Sequence, residues 1–190
     1  MIVERGPEAV DALPKGIQQN QEAVAETIEN NVRKLIINES PVDPAYYEKM
    51  SRLLEALIEQ RRKGALGYQE YLARIAELTK QARHPGGGSD SPVAMNTPAK
   101  RALYNNLGRN PALALAVDQA VQNNRMDGWR SHPMKTRRIK LAIKDVIDQA
   151  LQGGVSGDIQ DEHGNYQTGS ETVDELTDRI LELVKNQNAY

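Results

Sequence analysis

Three proline pairs constrain the fold of this 190-residue chain more than any other feature: Asp43-Pro44, Thr97-Pro98 and Asn110-Pro111. In each, a residue whose side-chain oxygen can accept from an orphaned backbone N–H precedes a proline. Proline costs nothing at the first helical position, because its missing N–H has no partner there. A chain marked this way starts helices at 44, 98 and 111. The apolar spacing between the marks agrees. Val24, Ile28, Val32, Leu35 and Ile36 recur at three and four residues and predict a helix over 18–37. From Pro44 the pattern Tyr47, Met50, Leu54, Leu57, Ile58 runs to Arg61, Arg62 and Lys63, cations suited to a negative helix end, with Gly64 placed for a left-handed cap. Tyr71, Leu72, Ile75 and Leu78 mark a third helix over 68–82. Helices over 98–107 and 111–124 follow, joined by Gly108-Arg109-Asn110. Another runs over 133–151 on Ile139, Ile143, Val146, Ile147 and Ala150. The last opens with a capping box, Thr172 to Glu175, and carries Val173, Leu176, Ile180, Leu183 and Val184.

Composition supports the same class. Phe is absent, and the aromatics are Trp129 and seven Tyr. The core is therefore aliphatic and suits close helix-on-helix packing. Strand signals are nearly absent and no internal repeat is visible. The expectation is an all-α multi-helix bundle of about seven helices in two packed helical subdomains. Residues 1–17 read as an N-terminal extension, 18–84 as the first subdomain, 85–95 (with Gly86-Gly87-Gly88 between prolines) as a linker, and 96–190 as the second, interrupted by an irregular loop at 153–169. No stretch reaches the roughly 20 apolar residues a membrane span needs, the first residues show no leader pattern, and the absence of cysteine excludes disulfides and thiolate zinc sites. The location expected is cytoplasmic, with no membrane contact.

Known chemistries fit poorly. The glycine run lacks the lysine and preceding strand of a phosphate loop. Asp158, Asp161, Glu162 and His163 form the densest acidic group but lack calcium-loop spacing. His84, His132 and His163 have no histidine partner three or four residues away, so no helical two-histidine metal site exists. Arg125 and His132 have the spacing of some helical endoribonucleases, in which Arg steadies phosphate and His is the base; Gly128 and Pro133 put the pair on a turn. No catalytic and no metal-ligating residue is assigned.

Charge is the more informative signal. Residues 125–144 hold seven Lys/Arg against Asp127, a balance of +6, whereas 145–190 hold ten acids against Arg179 and Lys185, a balance of −8. Arg125, Trp129, Arg130, Lys135, Arg137, Arg138, Lys140 and Lys144 are the candidate partner- or DNA-binding residues, with Arg137, Lys140 and Lys144 stacked on the helix away from the apolar stripe. The bland alternative is a solvated polar face. Trp129 reads first as a core plug at a helix junction, and Tyr46-Tyr47 as packing at a helix start. If all seven cations touched phosphate, log affinity would fall by roughly 6 per decade of salt.

Several stretches carry a family likeness: Ala25–Ile36; Asp43-Pro44-Ala45-Tyr46-Tyr47-Glu48-Lys49-Met50-Ser51 continuing to Leu57–Arg62; Thr97–Tyr104; Asp127-Gly128-Trp129-Arg130; and Leu181–Gln187. Together they resemble the C-terminal helical region of the restriction and translocation subunit of type I restriction-modification enzymes, over nearly the whole chain. The resemblance implies a C-terminal fragment, with Met1 an artificial start and Tyr190 the natural end. It also implies a role as a non-catalytic assembly module joining the motor to the methyltransferase and specificity subunits. ATP and Mg would then serve motor and nuclease domains outside this sequence, and duplex DNA is a further possible partner through its phosphates. The 153–169 loop looks like an insertion relative to the family's usual tail.

Overall fold

The computed structural model describes residues 21–85, 91–152 and 171–190. Among these every regular element is helical: α1 Gln21–Glu39, α2 Pro44–Arg62, α3 Tyr68–Arg83, α4 Pro98–Asn106, α5 Pro111–Asn124, α6 Pro133–Gln152 and α7 Val173–Lys185, with a single 3-10 turn at Trp129–Ser131. The all-α class is thereby shown. The start expected at 18, and the loop at 153–169 with its Asp158, Asp161, Glu162 and His163, lie outside the described residues.

The caps explain why the helices begin and end where they do. The Thr97 hydroxyl accepts from Lys100 N at 3.2 Å, and Asn110 Oδ1 accepts from Leu113 N at 3.0 Å. Thr172 and Glu175 close the reciprocal capping box, Glu175 N donating to the hydroxyl at 3.2 Å and Thr172 N to the carboxylate at 2.7 Å. Gly64 takes φ +68° after α2. Its N–H donates to Arg61 O and that of Ala65 to Gln60 O, the paired bonds of a Schellman ending.

The chain divides into two compact units. In the first, α1, α2 from Tyr46 onward and α3 share one aliphatic core, in which Val24, Val32, Leu54, Tyr71 and Ile75 are almost fully buried. Tyr46 and Tyr47 meet edge to face, ring centroids 5.3 Å apart, and their hydroxyls donate to Gln81 O and Ala82 O. Inside this core lies a polar cluster with no counterpart in the apolar periodicity. Glu29 is 4% exposed; its Oε1 accepts from Tyr71 Oη at 2.7 Å and from Arg61 Nε at 3.0 Å. The Arg61 guanidinium lies 5.4 Å from the Tyr71 ring centroid and donates through Nη1 to Glu22 at 2.6 Å. Burial and the Glu29 carboxylate push the Tyr71 hydroxyl well above the ordinary tyrosine range.

The second unit holds Val42–Ala45 together with the described residues from Ser91 onward, so these four residues belong with the part of the chain beyond the glycine run. The reason is a side-chain network. Asp43 is buried and accepts from Asn105 Nδ2 at 2.7 Å and Asn106 Nδ2 at 2.8 Å, while Asn106 Oδ1 accepts from Ala45 N. Helix α5 packs on α6, α6 on α7, and α4 on both α5 and α7. Ile139, Ile143 and Ile147 of α6 are almost fully buried, as are Ile180, Leu183 and Val184 of α7. Each such side chain contributes about 1.5–3 kcal/mol of burial. Met95, at the edge of the expected linker, is also in this core.

Candidate interaction surface on α6

Most of the cations that gave the sequence its basic stretch are bonded within the second unit. Arg125 Nη1 donates to Ala189 O at 2.8 Å. Arg130 donates through Nε to Lys185 O at 2.9 Å and through Nη2 to Gln187 O at 2.7 Å, with its guanidinium 4.7 Å from the Trp129 ring centroid. Lys135 Nζ donates to Asp127 O at 2.7 Å. Lys140 and Lys144 reach across to α7, where they pair with Asp178 and Asp174. The Lys144 ammonium holds the Asp174 carboxyl below its ordinary value, and Asp174 in turn raises Lys144. Arg138 Nε donates to Asn124 Oδ1 at 3.1 Å. Arg137 is exposed and makes no hydrogen bond or ion pair with any described residue.

The +6 and −8 segments therefore meet each other. Two of the acids beyond residue 145 sit opposite two of the lysines before it, and backbone carbonyls of 185–189 take Arg125 and Arg130. Trp129, 3% exposed, is a core plug and not a surface contact; its backbone carbonyl accepts from the Thr136 hydroxyl at 2.6 Å. The pairing of Arg125 with His132 as base and phosphate clamp gains no support: the Arg125 guanidinium holds Ala189, while the His132 backbone N–H closes the 3-10 turn on Trp129 O.

At about 100° per residue, the side of α6 facing away from Ile139, Ile143 and Ile147 is formed by Met134, Arg137, Arg138, Leu141 and Asp145. Lys140 and Lys144 sit at the flank toward α7. With Asn124 and Ala142 these five residues line a shallow, open groove. Met134 is 68% exposed and Leu141 50% exposed. The charge count conceals this pair of apolar side chains. The available signal is two large apolar residues seven positions apart on an otherwise polar helix face. Among the described residues no group of three or more His, Asp or Glu side chains is placed to hold a metal ion.

No family model matches the chain, and comparison with curated proteins and with solved structures finds no match. Among the described residues no helix is long and apolar enough to cross a membrane.

Proposed function

We propose that the chain is a non-catalytic helical assembly module, the C-terminal region of the restriction and translocation subunit of a type I restriction-modification enzyme. It would dock the ATP-dependent translocase and endonuclease onto the methyltransferase and specificity subunits in the cytoplasm. The family part of this reading rests on the sequence stretches that carry the resemblance. The docking part rests on one observation: the outward face of α6 leaves Met134 and Leu141 exposed on either side of Arg137 and Arg138. Isolated surface apolar residues are ordinary, but two aligned on one groove, with Arg137 and the outer nitrogens of Arg138 exposed between them, suit a partner better than solvent. In this reading the fragment binds no ATP or Mg.

Co-purification tests it. The chain mixed with a methyltransferase–specificity core should retain that core on a column, and Met134→Glu with Leu141→Glu should release it. A chain that never retains the core removes the type I assignment. A DNA-phosphate role is the rival, and it keeps Arg137 and the outer nitrogens of Arg138 as the cations of the basic stretch not already bonded among the described residues.

A further inference from the structure

We infer that the α6 groove takes an acidic amphipathic helix of a protein partner, with its carboxylates on Arg137 and Arg138 and its apolar residues on Met134 and Leu141. This deepens the docking proposal and rests on it for biological setting, though not for its chemistry.

The order of residues along α6 defines the occupant. Met134 and Leu141 are separated by seven residues, two helical turns or about 10.5 Å. A helix lying along the groove meets them with apolar side chains at its own i and i+7. Arg137 and Arg138 fall between, so the facing positions i+3 and i+4 call for Glu or Asp. Guanidinium groups suit this task, because their planar fork matches a carboxylate in two parallel hydrogen bonds and is weakly hydrated. Arg138 is already steered by Asn124 through Nε at 3.1 Å, which leaves its outer nitrogens for the partner. Asn124 is itself fixed by donation from Nδ2 to Ala120 O at 2.9 Å. One turn beyond Leu141 the groove ends at Asp145, which repels a third acid and favours Lys or Arg at i+11. Met134 adapts to varied apolar shapes.

A polyphosphate backbone fits less well. It gains nothing from Met134 and Leu141, and Asp145 opposes it. The lysines that would extend a phosphate track, Lys140 and Lys144, are paired with α7.

The probe is a helix-stapled peptide of about 18 residues with Leu at i and i+7, Glu at i+3 and i+4 and Lys at i+11, titrated against the full chain by fluorescence anisotropy. Two further peptides carry Lys in place of both Glu, or Ser in place of both Leu. The Glu peptide should bind the chain at least about tenfold more tightly than either alternative. Arg137→Glu with Arg138→Glu should reverse the preference, losing the Glu peptide and gaining the Lys peptide. Met134→Ser with Leu141→Ser should weaken the Glu peptide about tenfold. All four positions are exposed, and circular dichroism checks that each variant stays helical. No binding of the Glu peptide, equal binding of the Glu and Lys peptides, or a charge swap that fails to reverse the preference overturns the inference. So does a duplex DNA probe that binds and is lost on the arginine change but not on the Met134/Leu141 change, or self-association of the chain abolished by Leu141→Glu. Peptide binding intact alongside a chain that ignores the methyltransferase–specificity core would sink the family assignment and leave the groove's chemistry standing.

Discussion

Arg130 and Gln187 are joined across 57 positions of sequence by a hydrogen bond of 2.7 Å from the guanidinium to the backbone carbonyl. The same side chain holds Lys185 O, so one arginine ties down the segment that follows α7. Gln187 is itself 3% exposed and donates from Nε2 to Val42 O at 2.6 Å. Arg125 adds Ala189 O, and Tyr190 ends in the core with its hydroxyl donating to Asp118. A surface arginine kept for a partner would be silent in a melt. Arg130→Ala should instead lower stability by about 1–2 kcal/mol in urea unfolding, since charged hydrogen bonds to two carbonyls are lost.

Glu29 should be the most sensitive polar residue of the first unit. Removing its carboxylate by Glu29→Ala leaves the buried Tyr71 hydroxyl and the Nε of Arg61 without their acceptor, with Glu22 alone still holding the guanidinium. The expected cost is about 3 kcal/mol, measured by thermal or urea unfolding. Arg33→Ala, which breaks a mostly exposed pair with Glu55, should cost less than about 1 kcal/mol.

Acid should loosen the fold through carboxyls held below their ordinary values. Hydrogen bonding to Lys144 lowers Asp174, hydrogen bonding to Arg61 lowers Glu22, and the Thr172 backbone N–H lowers Glu175. A folded carboxyl with a depressed pKa binds fewer protons than its unfolded counterpart. Its contribution is therefore present above the ordinary values of 3.8 for Asp and 4.5 for Glu and is lost as pH falls below them. Unfolding midpoints should be flat from neutral pH down to about 5 and drop below it. Asp174→Asn should flatten part of that drop.

Salt dependence separates the two uses of the basic stretch. With Arg137 and Arg138 as the cations of the basic stretch left for phosphate, duplex DNA binding through that stretch should weaken with a log–log salt slope of about −2. The slope of about −6 expected for seven cations would require Arg125, Arg130, Lys135, Lys140 and Lys144 to abandon their bonds. Filter binding between low and moderate salt reads the difference.

Gly64 offers a test of backbone conformation alone. No atom stands within 4 Å of where a Cβ would be, yet φ is +68°. Gly64→Ala should cost about 1 kcal/mol through the left-handed conformation, with the helix content unchanged.

The helices themselves were legible in the sequence because their causes are local. Proline at N1, a cap oxygen beside it, a glycine able to turn left-handed and apolar residues at three- and four-residue spacing all act within a turn or two. Thr97, Asn110, Thr172 and Gly64 accordingly do what their positions predict. The identity of the residues available for recognition was not legible, because a charge is free or spent according to what lies opposite it. Lys140 and Lys144 read as a solvated or docking face until α7 brings Asp178 and Asp174 against them. Arg130 read as a contact residue until the segment after α7 passes beneath it, and Glu29 lay unnoticed in a helix pattern until Tyr71 and Arg61 closed on it. Periodicity fixes which side of a helix is wet. Only packing decides which wet side chains already have a partner, and among the cations of the basic stretch that leaves Arg137, beside the exposed Met134 and Leu141 of α6.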